Sequence, residues 1–284
     1  MASEVVFLAS IELTTRCSHG CPFCYARRRY SGHAEWSVGR LRLLLGELAG
    51  LLGAGGFVAV YGGGEPLEAP GLLAEALEAA LEAGAAYVSF TTSGAPIHGL
   101  EELLSQASSL LHLPRGFVTV SIDSYKLVAG PRALGGVDEE LLAAWRDTRP
   151  LLLPAARRWG VELPLEPPAL LQAVTLLREE GCDIAINIML TDDILPLLAW
   201  GARPSPLLEA LAEASVQVNL LAPKPLHGLL TVDQETGRLP EAYASTLRRL
   251  ASTIKARLAL DQSMLHLLGM KPPGADEGRA CNAG

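Results

Sequence analysis

The sequence predicts an α/β fold in which parallel β-strands alternate with helices. Short runs rich in Val, Ile and Phe recur along the chain, and longer stretches with apolar residues at helical spacing separate them. A strand–helix–strand order gives parallel neighbours that are joined by right-handed crossovers. Six such units suit an open doubly wound sheet or a partial barrel, and in both the ligand site lies at the carboxyl ends of the strands.

The pattern also gives the bounds of the elements. The predicted strands are Val5–Leu13, Phe57–Tyr61, Tyr87–Thr91, Phe117–Ile122, Asp183–Leu190 and Val216–Leu221. The predicted helices are Leu41–Leu52, Leu72–Ala83, Leu100–Leu111, Glu139–Arg158, Ala169–Glu180, Leu207–Ala214 and Tyr243–Leu268. Pro150 and Pro154 are expected to break or kink the helical stretch that contains them. We expect one domain over 1–235, a closing helix of the same domain within 236–270, and a polar tail over 271–284.

Composition excludes several classes of protein. The chain has 284 residues, of which 49% are hydrophobic, and this is enough to form a sizeable core. Its formal net charge is −8 and it has no block rich in Lys and Arg, so no nucleic-acid partner is expected. No window reaches the roughly 18 apolar residues of a membrane helix, and the N-terminus lacks the basic region of a secretory signal. We expect a cytoplasmic protein without a membrane partner.

Three cysteines lie close together just beyond the first predicted strand. Cys17, Cys21 and Cys24 have the spacing CxxxCxxC, which places them in a loop. Thiolates on such a loop can converge on one metal centre, and iron–sulfur clusters are held by Cys thiolates, normally four for a [4Fe–4S] cube. Three thiolates would leave one iron without a protein ligand, and metal sites perform chemistry at such an open position.

Other uses of these cysteines remain open at this stage. A structural zinc site could combine the three thiolates with His19 or His33, although the usual paired spacing is absent. Cys21 and Cys24 could form a redox pair, which would leave Cys17 without a role. Ordinary core packing is the third alternative.

A run of glycines follows the second predicted strand, in the segment Tyr61-Gly62-Gly63-Gly64-Glu65-Pro66. Glycine lets the backbone approach a ligand closely and adopt dihedral angles that other residues avoid. Taken alone, the run predicts no more than a turn.

The two segments together resemble the motifs of the radical S-adenosylmethionine (SAM) superfamily. The cysteine segment resembles its cluster motif CxxxCxΦC, in which Φ is aromatic and is here Phe23, and the glycine run resembles its GGE motif. The resemblance implies a partial parallel (β/α)6 barrel over 1–235. It also implies a [4Fe–4S] cluster on Cys17, Cys21 and Cys24, with SAM chelating the free iron through its amino and carboxylate groups. In such enzymes electron transfer cleaves SAM to a 5′-deoxyadenosyl radical, which abstracts hydrogen from a substrate.

Further cofactor-binding residues follow from the same resemblance. It implies that Phe23 lies near the adenine and that the SAM ammonium is received by Gly62, Gly63, Gly64 and Glu65. At the other strands it suggests Ser93, Ser121, Asp123 and Asn187 as SAM contacts, and the alternative is that these are polar residues at strand ends or in the barrel lining.

The resemblance implies partners but not a substrate. An electron donor of flavodoxin or ferredoxin type and an oxygen-poor compartment are expected. The substrate is either a peptide or protein, or a small metabolite on the way to a cofactor, and no residue is assigned to act on it. The non-enzymatic alternative is a sensor or scaffold that binds an iron–sulfur cluster or zinc.

A few residues outside these motifs carry weaker expectations. Lys224 and His227 follow the sixth strand, and Arg27, Arg28 and Arg29 follow the cysteines; both sets are expected to be exposed. Cys182 is expected to be a buried apolar residue. Cys281-Asn282-Ala283-Gly284 resembles the start of an auxiliary-cluster extension, but one cysteine cannot hold a second cluster.

Overall fold

The computed structural model describes most of the chain. The described residues are 6–24, 26, 32–49, 52–60, 63–111, 116–198, 203–223, 229–233, 235–254 and 257–270. The predicted tail 271–284 therefore lies outside the described residues.

Within the described part of the chain, seven parallel strands form one sheet, and they follow each other in chain order from β1 to β7. The strands are β1 (Val6–Ile11), β2 (Leu52–Val60), β3 (Tyr87–Thr92), β4 (Gly116–Ile122), β5 (Ile184–Met189), β6 (Gln217–Leu221) and β7 (Arg257–Leu260). Consecutive order without a reversal makes the sheet curl into a half-barrel, because each crossover has the same hand. The predicted α/β partial barrel is confirmed.

Helices connect the strands and cover the convex side of the sheet. They are α1 (Val38–Ala49), α2 (Pro70–Glu82), α3 (Ile97–Leu111), α4 (Ser124–Ala129), α5 (Glu139–Thr148), α6 (Leu153–Trp159), α7 (Ala169–Glu179), α8 (Leu195–Leu198), α9 (Pro206–Glu213), α10 (Glu241–Thr253) and α11 (Gln262–Leu267). The expected break at the two prolines is confirmed, since a short 3-10 helix at Arg149–Leu152 separates α5 from α6.

The two faces of the sheet differ in chemistry. On one face, large aliphatic residues of neighbouring strands, such as Val88, Val118 and Ile184, are fully buried in a core that they share with the helices. Side chains alternate along a strand, so the residues between them face the concave side. Toward the carboxyl ends of the strands this second row includes the small or uncharged polar residues Ala59, Ser89, Thr91, Thr119, Ser121, Ala185, Asn187 and Asn219, whereas Phe57 and Phe117 of the same row stack on each other nearer the amino ends. The concave side can therefore form hydrogen bonds with a ligand.

The C-terminal region corrects the prediction of one closing helix. Instead of a continuous helix, the segment forms α10, then strand β7, then α11. Ile254 ends α10 in an extended conformation. Leu258 and Leu260 then pair with Val218 and Leu220 of β6, and continue the aliphatic row. The apolar spacing in this segment fits a helix as well as a strand. The segment becomes a strand because it can pair with the free edge of β6.

No helix within the described part of the chain has both the length and the apolar character needed to cross a membrane.

Candidate functional site

The three motif cysteines border one cavity at the carboxyl end of β1. Cys17, Cys21 and Cys24 line a cavity of about 260 Å³ together with Gly63 of the glycine loop, and with Thr15, Gly20, Ala26, Gly32 and His33. The Cys24 backbone N–H donates to the Cys21 carbonyl over 3.2 Å, which closes a turn between these two cysteines. Cys17 is exposed, and the other two are half-buried.

The donor set is compatible with a [4Fe–4S] cluster. Within the described residues, no group of three or more Cys, His, Asp or Glu side chains is arranged to hold one metal ion. A [4Fe–4S] cube has its irons at separate corners, so its thiolates border a volume and do not meet at one point. The cysteine-lined cavity, with a glycine loop at its wall, fits such a group.

Burial and charge act together on Cys21. Burial raises the pKa of the Cys21 thiol to about 12, and the Asp123 carboxylate adds to this rise, whereas the Lys126 ammonium lowers the pKa. The thiolate form of Cys21 therefore needs a cationic partner, which a bound iron supplies.

The glycine loop packs directly on the backbone that leads to the cysteines. A Cβ on Gly64 would lie 2.0 Å from the carbonyl oxygen of Arg16, and a Cβ on Gly63 would lie 2.7 Å from that of Thr14. Gly63 also has a φ of +61°, which L side chains rarely adopt. We predicted close approach to a ligand; the structure gives these glycines a further reason, which is close approach of two loops.

Glu65 joins three loops through a buried carboxylate. Its own N–H donates to the Arg16 carbonyl over 2.8 Å. One carboxylate oxygen accepts from the Thr92 hydroxyl (2.6 Å) and the Leu67 N–H (3.2 Å), and the other accepts from the Ser93 N–H (2.8 Å) and hydroxyl (2.6 Å). Glu65 is only 4% exposed. Glu65 thus fixes the positions of the loops after β1, β2 and β3 relative to one another.

His19 extends this connection from the cysteine loop. Its Nε2 contacts the Ser93 hydroxyl and lies 3.2 Å from the Ala95 carbonyl oxygen, whereas its buried Nδ1 has no hydrogen-bond partner among the described residues. A zinc ligand was one sequence-based alternative for His19. In the structure its Nε2 instead ties the loop between Cys17 and Cys21 to the end of β3.

Ser121 and Asp123, the predicted pair at the end of β4, both contact the half-buried side chain of Lys126. One carboxylate oxygen of Asp123 accepts from the Lys126 N–H over 2.8 Å and caps α4, and the other lies 3.1 Å from the Lys126 Nζ. The same Nζ donates to the Ser121 hydroxyl (3.1 Å) and carbonyl (3.3 Å). Lys126 was not among the predicted site residues; its position three residues after a helix-capping Asp is the signal that could have identified it.

Asn187 belongs to a row of amides on the concave side. Its Oδ1 accepts from the Asn219 Nδ2 over 2.7 Å, and the Asn219 Oδ1 accepts from the Gln217 Nε2 over 2.5 Å. Asn187 also pairs with Ser121 in the register of β4 and β5. The structure therefore places Asn187 beside Ser121 on the sheet, and fixes its amide through residues that sequence analysis did not select.

Phe23 packs in an aromatic cluster with two rings from the region between β4 and β5. Its ring centroid lies 6.3 Å from that of Tyr125 and 5.6 Å from that of Trp159, and the latter two are 5.6 Å apart. The Trp159 indole N–H donates to the Ser124 hydroxyl over 3.0 Å. The aromatic residue before the last motif cysteine thus anchors its loop to α4 and α6. No feature of the sequence marks Trp159 for this contact.

Several sequence-based expectations fall outside the described residues. These are the predictions for Gly62, Arg27, Arg28, Arg29, Lys224, His227 and Cys281.

Cys182 provides a contrast to the motif cysteines, and the expectation that it is buried is confirmed. Burial raises the pKa of its thiol to about 11, and Glu180 and Asp183 add to the rise. Because the thiolate is the reactive form, Cys182 in the folded protein at pH 8 should be alkylated by iodoacetamide at least about 100-fold more slowly than in urea. Peptide mass spectrometry of the metal-free protein measures this, and equal rates in both conditions would contradict it.

Part of the chain matches the model of a known protein family. The model of the Radical SAM superfamily matches residues 11–127, a span that contains both motif loops and the β4–α4 junction. No curated protein sequence matches the chain.

Solved structures resemble the chain at low sequence identity. Native anSMEcpe with bound AdoMet has a TM-score of 0.54 and 12% identity, and the match covers 93% of this chain and 67% of that one. Methylornithine synthase (PylB) and the FeFe-hydrogenase maturase HydG from Carboxydothermus hydrogenoformans each have a TM-score of 0.48 and 14% identity. Those matches cover 98% and 95% of this chain, and 86% and 58% of the respective structures. At this identity, the first likeness supports the half-barrel fold.

The cysteine loop, the glycine loop and strands β2, β3 and β4 lie within the matched span. Residues 11–127 therefore match the model of the radical SAM superfamily, whose members are enzymes that use a [4Fe–4S] cluster and S-adenosylmethionine.

Proposed function

We propose that this protein cleaves SAM reductively and uses the resulting radical on an organic substrate. One observation carries the proposal: Cys17, Cys21 and Cys24 border the same cavity as Gly63, at the carboxyl ends of parallel strands. A bound cluster would supply the electron that splits SAM into methionine and a 5′-deoxyadenosyl radical, which takes a hydrogen atom from the substrate.

The chain's own residues would bind and orient the reactants. In our proposal Cys17, Cys21 and Cys24 hold three irons and leave the fourth for the methionyl end of SAM. Backbone carbonyls of Gly62, Gly63 and Gly64 receive the SAM ammonium. Because both oxygens of Glu65 already accept two hydrogen bonds each, we assign its carboxylate to holding the loop in place.

The remaining predicted residues receive roles according to their contacts. Phe23 would offer one edge to the adenine while Tyr125 and Trp159 fix its ring. Ser93 would position SAM through the Glu65 network, and Ser121 and Asp123 through their contacts with Lys126. Asn187 would donate from its amide nitrogen toward the concave side, since its oxygen is engaged by Asn219.

The reaction also requires an electron donor and a substrate. We propose a flavodoxin- or ferredoxin-like electron donor, an oxygen-poor cytoplasm and a substrate that is a peptide, a protein or a small metabolite. The small and uncharged polar residues of the concave side are compatible with each of these substrates.

Anaerobic reconstitution tests the proposed function. The full chain, treated with iron and sulfide and then with SAM and dithionite, should release 5′-deoxyadenosine. Cys17→Ser, Cys21→Ser and Cys24→Ser should each lower the release at least about 100-fold, because each removes a cluster ligand. Cys182→Ala is the matched control and should retain it, since this thiol lies in the core and outside the site. Tight binding of one zinc per chain with no 5′-deoxyadenosine would overturn the proposal in favour of a zinc-binding sensor or scaffold.

A further inference from the structure

The buried imidazole of His19 has no part in the roles proposed above. His19 lies between Cys17 and Cys21 in the sequence and is only 8% exposed. We propose that His19 is a positioning residue, which holds the loop from Cys17 to Cys21 in its cluster-binding shape before the cluster is bound. This inference rests on the proposed function, because the shape of the loop serves a cluster.

The imidazole reaches the end of β3 through one of its nitrogen atoms. Its Nε2 contacts the Ser93 hydroxyl and lies 3.2 Å from the carbonyl oxygen of Ala95. The Ser93 hydroxyl in turn donates to a carboxylate oxygen of Glu65 over 2.6 Å. A carbonyl oxygen can only accept, and a hydroxyl whose proton points to Glu65 accepts from its other neighbour, so these partners assign the ring proton to Nε2. One chain of hydrogen bonds therefore runs from the cysteine loop through Ser93 to the glycine loop.

The other ring nitrogen supports the same assignment. Nδ1 of His19 is buried and has no hydrogen-bond partner among the described residues. A proton on Nδ1 would be a buried N–H without an acceptor, which is unfavourable. The ring therefore acts toward β3 through Nε2, and a side chain that replaces His19 needs its donor at the position of Nε2 and not at that of Nδ1.

Two other contacts of the cysteine loop are weaker anchors. The Ser18 N–H donates to a carboxylate oxygen of Glu68 over 3.1 Å in an exposed position, where water competes for both groups. The Cys24 N–H donates to the Cys21 carbonyl oxygen, and this bond lies within the cysteine segment itself. His19 thus supplies a buried link to another strand where its neighbour supplies an exposed one.

A preformed loop matters because all three thiolates must border one cavity when the iron arrives. Cys17 lines that cavity together with Cys21 and Cys24. Without an anchor, the loop would have to be ordered when the cluster binds, and fixing each backbone residue costs conformational entropy. With His19 in place, this ordering accompanies folding, so less of the binding free energy of the cluster is lost.

Hydrogen exchange of the cluster-free full chain tests the anchor itself. The backbone amides of residues 18–21 should exchange about tenfold faster in His19→Asn than in the original protein, the factor expected for loss of one buried hydrogen bond. The Asn amide stands in for Nδ1, whereas the longer Gln amide stands in for Nε2. His19→Gln should therefore exchange within about twofold of the original protein. His98→Asn, at the exposed histidine of α3, is the matched control and should leave the exchange unchanged.

Loss of the reconstituted cluster to EDTA should follow the same order. Its absorbance should decay about tenfold faster in His19→Asn, and at close to the original rate in His19→Gln and His98→Asn. Equal exchange in His19→Asn and the original protein, or equal acceleration in both His19 variants, would overturn the inference. Faster exchange with an unchanged rate of cluster loss would also overturn it.

Two further outcomes are distinguishable. If His19→Asn does not fold, Ser93→Ala decides, because it removes the hydroxyl that Nε2 contacts. The amides of residues 18–21 should then exchange at least about threefold faster, and unchanged exchange would contradict the inference. Failure of the unmodified chain to assemble a cluster would instead overturn the proposed function.

Discussion

Replacing Gly64 with Ala is expected to abolish assembly of the cluster site and to destabilise the folded protein by at least about 3 kcal/mol. The added Cβ would lie 2.0 Å from the Arg16 carbonyl oxygen and 2.8 Å from its carbonyl carbon. Both are backbone atoms, so no side chain can rotate away and the two loops must separate. Urea unfolding measures the loss of stability, and the iron content after reconstitution measures the loss of the site.

The matched control for this substitution is Gly46→Ala in α1. A Cβ on Gly46 meets nothing within 4 Å, and alanine is the better helix former. This variant should be more stable by about 0.5–1 kcal/mol and should bind as much iron as the original protein. If Gly64→Ala unfolded at the same urea concentration as the original protein, the close packing of the glycine loop on residues 14–16 would be wrong.

The second large effect is expected for Glu65→Gln, which should lower the free energy of unfolding by about 2 kcal/mol. The amide has one oxygen, whereas each carboxylate oxygen of Glu65 accepts from one backbone N–H, either that of Leu67 or that of Ser93. Hydroxyl groups can rotate, but a backbone N–H cannot. In either orientation one N–H would therefore face the amide NH2 without an acceptor.

Glu47→Gln on the exposed face of α1 is the control, and it should change stability by less than about 0.5 kcal/mol. The loops after β1, β2 and β3 would lose their common anchor in Glu65→Gln, so its iron content should fall together with its stability. A Glu65→Gln protein with unchanged unfolding and full iron content would show that the buried network does not hold the site together.

The main features of the fold could be predicted from the sequence because one face of each strand packs on helices and the other faces the concave side. Residues such as Val88, Val118 and Ile186 had to be large and apolar to pack on helices, and this repeats with a recognisable period. The period failed at β7, where four residues are too few to separate a strand from a helix. That strand forms because β6 offers it an edge, and such a tertiary effect leaves no local pattern.

The site could be predicted where its chemistry depends on residue type at fixed spacing. Cys17, Cys21 and Cys24 are such residues, and the structure brings them to one cavity. Trp159 could not be found in this way, because its contact with Phe23 depends on which loops the barrel brings together. The hydrogen bonds of Glu65 could not be predicted from the sequence either, because its partners Thr92 and Ser93 lie at the end of another strand.

The electron paramagnetic resonance spectrum of the reconstituted and reduced chain, recorded with and without SAM, tests the central claim most directly. Three thiolates around one cube leave one iron open, so SAM should bind there and change the spectrum of a chain that contains about four irons. A spectrum that SAM leaves unchanged, from a fully loaded cluster, would mean that the fourth iron is closed by a protein ligand. That result would contradict the account.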